Sequence, residues 1–270
     1  MTHVANTVEV EKPHSRVTAR RGREGAVFGM HAVSAVTQVG VTDHFRVSCL
    51  TSLGTKGQTL ATALLATCEK DFGTLQNAFG GITPKQMPFV VEVTADDSGA
   101  SHSSCLGTDI AVGGNSGVAQ DFIRSLLVAE ADEVFMANFG HGWNCGASPG
   151  EGLSRVLAND MYPGVEPNDF LSASVWLDLN PRPNYIDYRK PTDTDYPSIG
   201  CSVLFLNWLH FELKHSWSDI IAAGGATLAK TYQGLTKKKT AWKDFGAMIS
   251  ARFPAGGNYD NLGTDNPFSE

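Results

Sequence analysis

The sequence predicts an α+β fold, on three observations. Two short stretches alternate with a period of two: Phe45, Val47 and Cys49 in the run from Asp43 to Leu50, and the PFVVEVTA run that begins at Pro88. Apolar residues recur at helical intervals from Gly57 to Gly80 and again from Asp121 to Ala137. Beyond residue 200, helical patterns follow one another with no strand pattern between them.

The elements follow in order along the chain. Residues 1–25 are polar, with the basic cluster TARRGREG, and are expected to form a flexible arm. Residues 26–163 form the sheet-and-helix half. Here Ala26 to Thr42 suggests a strand or two, the Asp43–Leu50 strand follows, and a core helix from Gly57 carries Leu60, Leu64, Phe72, Leu75 and Phe79 to a stop at Gly80-Gly81. After a turn and the PFVVEVTA strand, DDSGASHSSCLG reads as a polar loop leading to a strand at Thr108 to Val112. Asn115 or Ser116 is a candidate cap for the central helix, which ends near Asn138-Phe139-Gly140. The linker FGHGWNCGASPG then carries His141, Trp143 and Cys145 into a helix at EGLSRVLA. Residues 164–270 form a mainly helical half: an irregular, Asp-rich passage to Pro197, helices at Gly200–Glu212, Trp217–Ala223, Leu228–Leu235 and Ala241–Phe253, and a loop-like tail.

Composition bounds the function. A chain of 270 residues, 42% of them hydrophobic and 18% charged, buries a substantial core and is expected to be soluble without staples. Its net charge of −7 gives no attraction to nucleic acid or an anionic membrane, so peptides, proteins or small molecules are the expected partners. No apolar run approaches ~18 residues and no basic segment precedes an apolar one, so neither a membrane span nor a signal peptide is expected. Cys49, Cys68, Cys105, Cys145 and Cys201 include no CxxC pair of the kind that marks a structural zinc site. Cys68 and Cys201 fall in apolar helices and read as buried thiols. Cys105 and Cys145 lie in Gly- and Ser-rich stretches that bracket the central helix.

That helix carries the chemistry. DFIRSLLVAEADEVFMA is mostly apolar, yet Glu130 and Glu133 project from one face, one turn apart. A buried carboxylate must find a cation, hydrogen-bond donors or a proton. The segment AEADE, residues 129–133, resembles the HExxH helix of the gluzincin class of zinc peptidases. Ala129 and Glu133 stand at the two His positions and Glu130 at the general base. GEGLSRVLA, from Gly150, resembles the following gluzincin helix, whose Glu, here Glu151, completes the metal site. The resemblance implies a zincin-like fold with a small mixed sheet and core helices, followed by a mainly helical half, and places the Thr108–Val112 strand at the sheet edge beside the cleft. It also brings His102 and Cys105 near the site, with Cys105 and Cys145 close enough to bridge.

Both His ligands are missing from this pattern, so the expected function is that of a zincin-like binding or scaffolding domain without the standard zinc site. Arg155 or Arg124 would then partner the carboxylates, with one proton shared between them. A second reading keeps a metal-dependent peptidase or hydrolase, with Glu133 and Glu151 holding Ca²⁺, Mg²⁺ or Mn²⁺ through oxygen ligands and His102 or His141 standing in for the lost His. A third rests on GASPG, residues 146–150, which satisfies the G-x-S-x-G nucleophile pattern at Ser148, with His210 and His215 later in the chain.

Overall fold

The computed structural model describes residues 35–96, 99–115 and 117–268, so the expected arm at residues 1–25 lies outside the described residues. The fold is α+β. Its sheet has five strands in the order β1-β2-β3-β5-β4, with β1 Val36–Val41, β2 Phe45–Leu50, β3 Phe89–Thr94, β4 Ala100–His102 and β5 Asp109–Gly113. The central three strands run parallel, and β1 and β4 pair antiparallel on the two edges. The period of two has its expected consequence: Phe45, Val47, Cys49, Phe89, Val91, Val93, Ile110 and Val112 are all buried on one face.

Two helices precede the central one: α1, Gly54–Leu65, and α2, Cys68–Ala78. The single helix expected from Gly57 to Gly80 is thus broken at Ala66-Thr67, where the Thr67 N–H reaches back only to the Leu64 carbonyl. The break redirects α2 so that Phe79 stacks on Phe135 of α3, Gln120–Phe139, and Phe72 packs against the same ring at a tilt. The Gly80-Gly81 stop is present, both residues at positive φ, with the Gly81 N–H donating to the Gln76 carbonyl. Ala119 stands at the N-cap position of α3; of the two expected caps, Asn115 lies four residues before it, its N–H donating to the Asp96 carbonyl, and Ser116 lies outside the described residues.

The strand at Asp109–Gly113 is not the sheet edge. The edge is β4, three residues within the stretch expected to be a polar loop. Its three residues are all of intermediate exposure, so it shows no alternation for the sequence to reveal.

The second half is helical: α4 Ser148–Met161, α5 Ala173–Leu177, α6 Tyr196–Asn207, α7 Trp217–Ala222, α8 Leu228–Thr236 and α9 Ala241–Arg252. Helix α6 begins four residues before Gly200 because Asp195 caps it through the Ser198 N–H and Pro197 fits its first turn. It runs on into a π-helical turn at Trp208–Glu212. The passage read as irregular contains α5, whose start is capped from the tail: Asp265 accepts the N–H groups of Ser172 and Ala173 and the Ser172 hydroxyl. The buried core is continuous from the sheet through these helices.

Two glycines seat α4. A Cβ on Gly150 would lie 1.9 Å from the Asn144 carbonyl oxygen, and one on Gly152 would lie 2.6 Å from Ser202 Cβ on α6. Glu151 sits between them, so its position depends on a close backbone approach on either side. Gly150→Ala must push the linker away from α4 and should destabilise by at least about 1–3 kcal/mol. An unchanged urea midpoint for that variant would show that the approach is not required.

Candidate functional site

Helix α3 packs against β4, β5 and α4, and a pocket of about 90 Å³ opens along it. Phe122, Leu126 and Phe170 form apolar walls. Glu130, Glu133, Glu151, Arg155, Glu166 and Asp193 supply charge, and Gly99 and Ala100 bring the edge of the sheet to the rim. The space suffices for several waters.

His102 comes from β4 and meets two of the lining carboxyls. Its Nδ1 contacts the Ser104 carbonyl, an acceptor only, so Nδ1 carries the hydrogen and Nε2 faces the carboxyls. Nε2 lies 2.8 Å from Glu133 Oε2 and 3.6 Å from Glu130 Oε2. The shorter contact requires one proton, carried either by the Glu133 carboxyl or by the ring. On its other oxygen Glu133 accepts a long bond, 3.5 Å, from the Ser154 hydroxyl of α4, which also donates to the Glu151 carbonyl.

Burial sets the protonation of α3. It pushes Glu133 up to about 8, with Asp132 adding to the rise and Arg155 and Ser154 opposing it. Glu130 is raised well above the ordinary range, first by burial and then by Glu133, with His102 working against the shift. Asp132 is fully buried and neither of its oxygens has a hydrogen-bond partner, so burial alone raises it strongly. Glu166 rises to about 7 through burial and Asp265, against Arg155. These carboxyls hold protons where ordinary ones have lost them.

The sequence-derived candidates divide. Glu130, Glu133, Glu151 and Arg155 line the one pocket, and His102 joins them through Glu133. Cys105 and Cys145 are joined by a disulfide with Cα atoms 5.8 Å apart, tying the loop after β4 to the linker before α4. Arg155 donates to the Phe170 carbonyl and lies over the Tyr196 ring, acting on the carboxyls through space. Arg124 is elsewhere, bonded to Asp121 and the Ala63 carbonyl. His141 is exposed and stacks on Phe139. Ser148 is fully buried and its hydroxyl accepts the Lys190 N–H, while His210 stacks on Trp217. Asp132, Ser154, Glu166 and Asp193 were not singled out from the sequence. Asp132 alone carried a sign, an acid between Glu130 and Glu133 in an apolar helix.

Zinc as the resemblance implies it does not fit these residues: Ala129 presents a methyl to the pocket where a ligand is needed. No protein-family model, curated protein or solved structure matches the chain. No helix among the described residues is long and apolar enough to cross a membrane.

The raised carboxyls fix the sign of the pH dependence. A carboxyl whose folded value lies above its unfolded one binds its proton more tightly in the native state, so it costs stability progressively as pH rises from the unfolded value to the folded one. For Glu133 that window runs from 4.5 to about 8. Unfolding free energy should therefore fall between these limits, by up to about 1.4 kcal/mol per pH unit for each such group. Asp132→Asn, which removes one titration, should flatten the slope. Denaturation at several pH values checks this, and stability that rises from pH 5 to 8 would contradict it.

Proposed function

We propose that this chain is a zincin-like binding domain, with a buried imidazole–carboxyl cluster where a peptidase would hold its metal. The reading rests on the sequence resemblance, supported by the antiparallel edge strand beside a carboxylate-bearing helix pair. The observation that carries binding is the geometry of β4. The Gly113 N–H donates to the Gly99 carbonyl, and in the antiparallel register the next pairs are Ala100↔Val112, Ser101↔Ala111 and His102↔Ile110. Alternation turns the backbone groups of Ala100 and His102 away from β5. Among the described residues no strand covers that side. An extended peptide added there would run along the pocket rim, held by main-chain bonds, with one side chain over the carboxyls.

Catalysis is the weaker alternative. Glu130 acts as a base in the peptidase scheme only on water whose pKa a metal has lowered to near 7, and free water near 15.7 is beyond a carboxylate. A hydrolase built on Glu133 and Glu151 with a hard cation is favoured only by His102 reaching Glu133, and such cations ask for about six oxygen ligands.

Screening a library of unstructured peptides tests the reading. Binding is expected, with no cleavage, and Ala100→Pro, which deletes one outward N–H at an edge that tolerates proline, should weaken it at least about tenfold without changing melting temperature. Glu130→Gln should shift melting temperature more than any peptidase activity. Metal-dependent cleavage by the wild type, abolished by Glu130→Gln at unchanged stability, would replace this reading with the hydrolase.

A further inference from the structure

The disulfide ends inside the cluster. One ligand-bearing atom from each of His102, Glu133 and Cys145 lies within 4.8 Å of the other two. Glu133 and Cys145 are buried and the His102 side chain is nearly so. Tetrahedral zinc with bonds of about 2.0–2.3 Å brings its ligands to separations of roughly 3.5 Å, so a modest contraction would complete three sides of a site. The His102 ring is already set for this, with Nδ1–H on the Ser104 carbonyl and Nε2 aimed inward, the outer contact that orients metal-binding imidazoles. In the oxidised chain Cys145 Sγ is held by Cys105 and cannot serve as a thiolate ligand.

We propose that the Cys105–Cys145 disulfide gates a zinc site formed by His102 Nε2, a Glu133 oxygen and Cys145 Sγ, closed when oxidised and opened by a dithiol reductant. This ligand set differs from the one the gluzincin resemblance implies, since His102 comes from the edge strand and Cys145 from the α3–α4 linker. It does not depend on peptide docking along β4.

The two sulfurs are not equivalent. Cys105 is half-buried and Cys145 buried, so a reductant thiolate attacks the Cys105 sulfur and Cys145 departs as thiolate beside His102 and Glu133. The second reductant thiol then resolves the mixed disulfide. The balance is one disulfide plus one dithiol giving two cysteine thiols plus one oxidised reductant. Zinc binding then displaces the Cys145 proton and the proton held between His102 and Glu133. Thiolate, carboxylate and neutral imidazole leave the bound zinc with no net charge, which suits a buried site. Thiolate and imidazole select zinc over Ca²⁺ or Mg²⁺, and water takes the fourth position.

The test is zinc affinity of the full chain by chelator competition, with and without a phosphine reductant. The reduced chain should bind one zinc per chain on the order of 100-fold more tightly than the oxidised chain. Cys105→Ser, which leaves Cys145 free, should bind as tightly without reductant. Cys145→Ser and His102→Ala should remove the gain, and cobalt in the reduced chain should show a thiolate charge-transfer band. Should Cys105→Ser fail to fold, the reduced wild type gives the same readout. Equal affinity of oxidised and reduced chains, or a cobalt spectrum without the thiolate band, overturns the proposal. Peptide binding that survives such an outcome would leave the docking reading standing.

Discussion

The contact between His102 and Glu133 is the interaction on which the rest of the cleft depends. Helix α3 runs through the core with Phe135 and Met136 fully buried, and it cannot present Glu133 to water without unseating them. The carboxyl must therefore be satisfied inside. A buried, unpaired carboxylate is far too costly, and the available answers are a proton, a donor or a cation. The fold supplies an imidazole from β4, a hydroxyl from α4 and a proton. Each supplier needs its own support. β4 is paired with β5, the loop that follows it is tied by the covalent link from Cys105 to the linker, and Ser154 is placed by the glycines that let α4 approach its neighbours.

The same constraint explains why α3 carries three acids whose protons are all held tightly. Glu130 and Glu133 face the pocket, where a partial solution exists, but Asp132 has no partner for either oxygen. A neutral carboxylic acid is the only form that such a place tolerates cheaply. The net charge of −7 counted from the sequence therefore overstates the negative charge of the folded chain near neutrality.

Much of the architecture was legible because its signals are local. The alternation in β2 and β3, the period of α3, and the glycines at 80 and 81 each lie within a few residues or one element. What was hidden depends on distant partners. β4 is three residues long without alternation and exists because β5 pairs with it. The break between α1 and α2 serves the packing of Phe72 and Phe79 against Phe135. The cap of α5 comes from Asp265 in the tail. Of the site, Glu130, Glu133 and Glu151 could be named from the sequence, and His102 only as one of two candidates. Glu166 and Asp193 lie in a passage whose composition gives them no distinction from other surface acids.

The central claim is that His102 and Glu133 act as one unit, and a double-mutant cycle on unfolding free energy measures this directly. With His102→Ala, Glu133→Ala and the double variant, the account predicts a coupling of at least about 1 kcal/mol, because either single change leaves the other group buried without its partner. Single effects that add to within about 0.5 kcal/mol would contradict it.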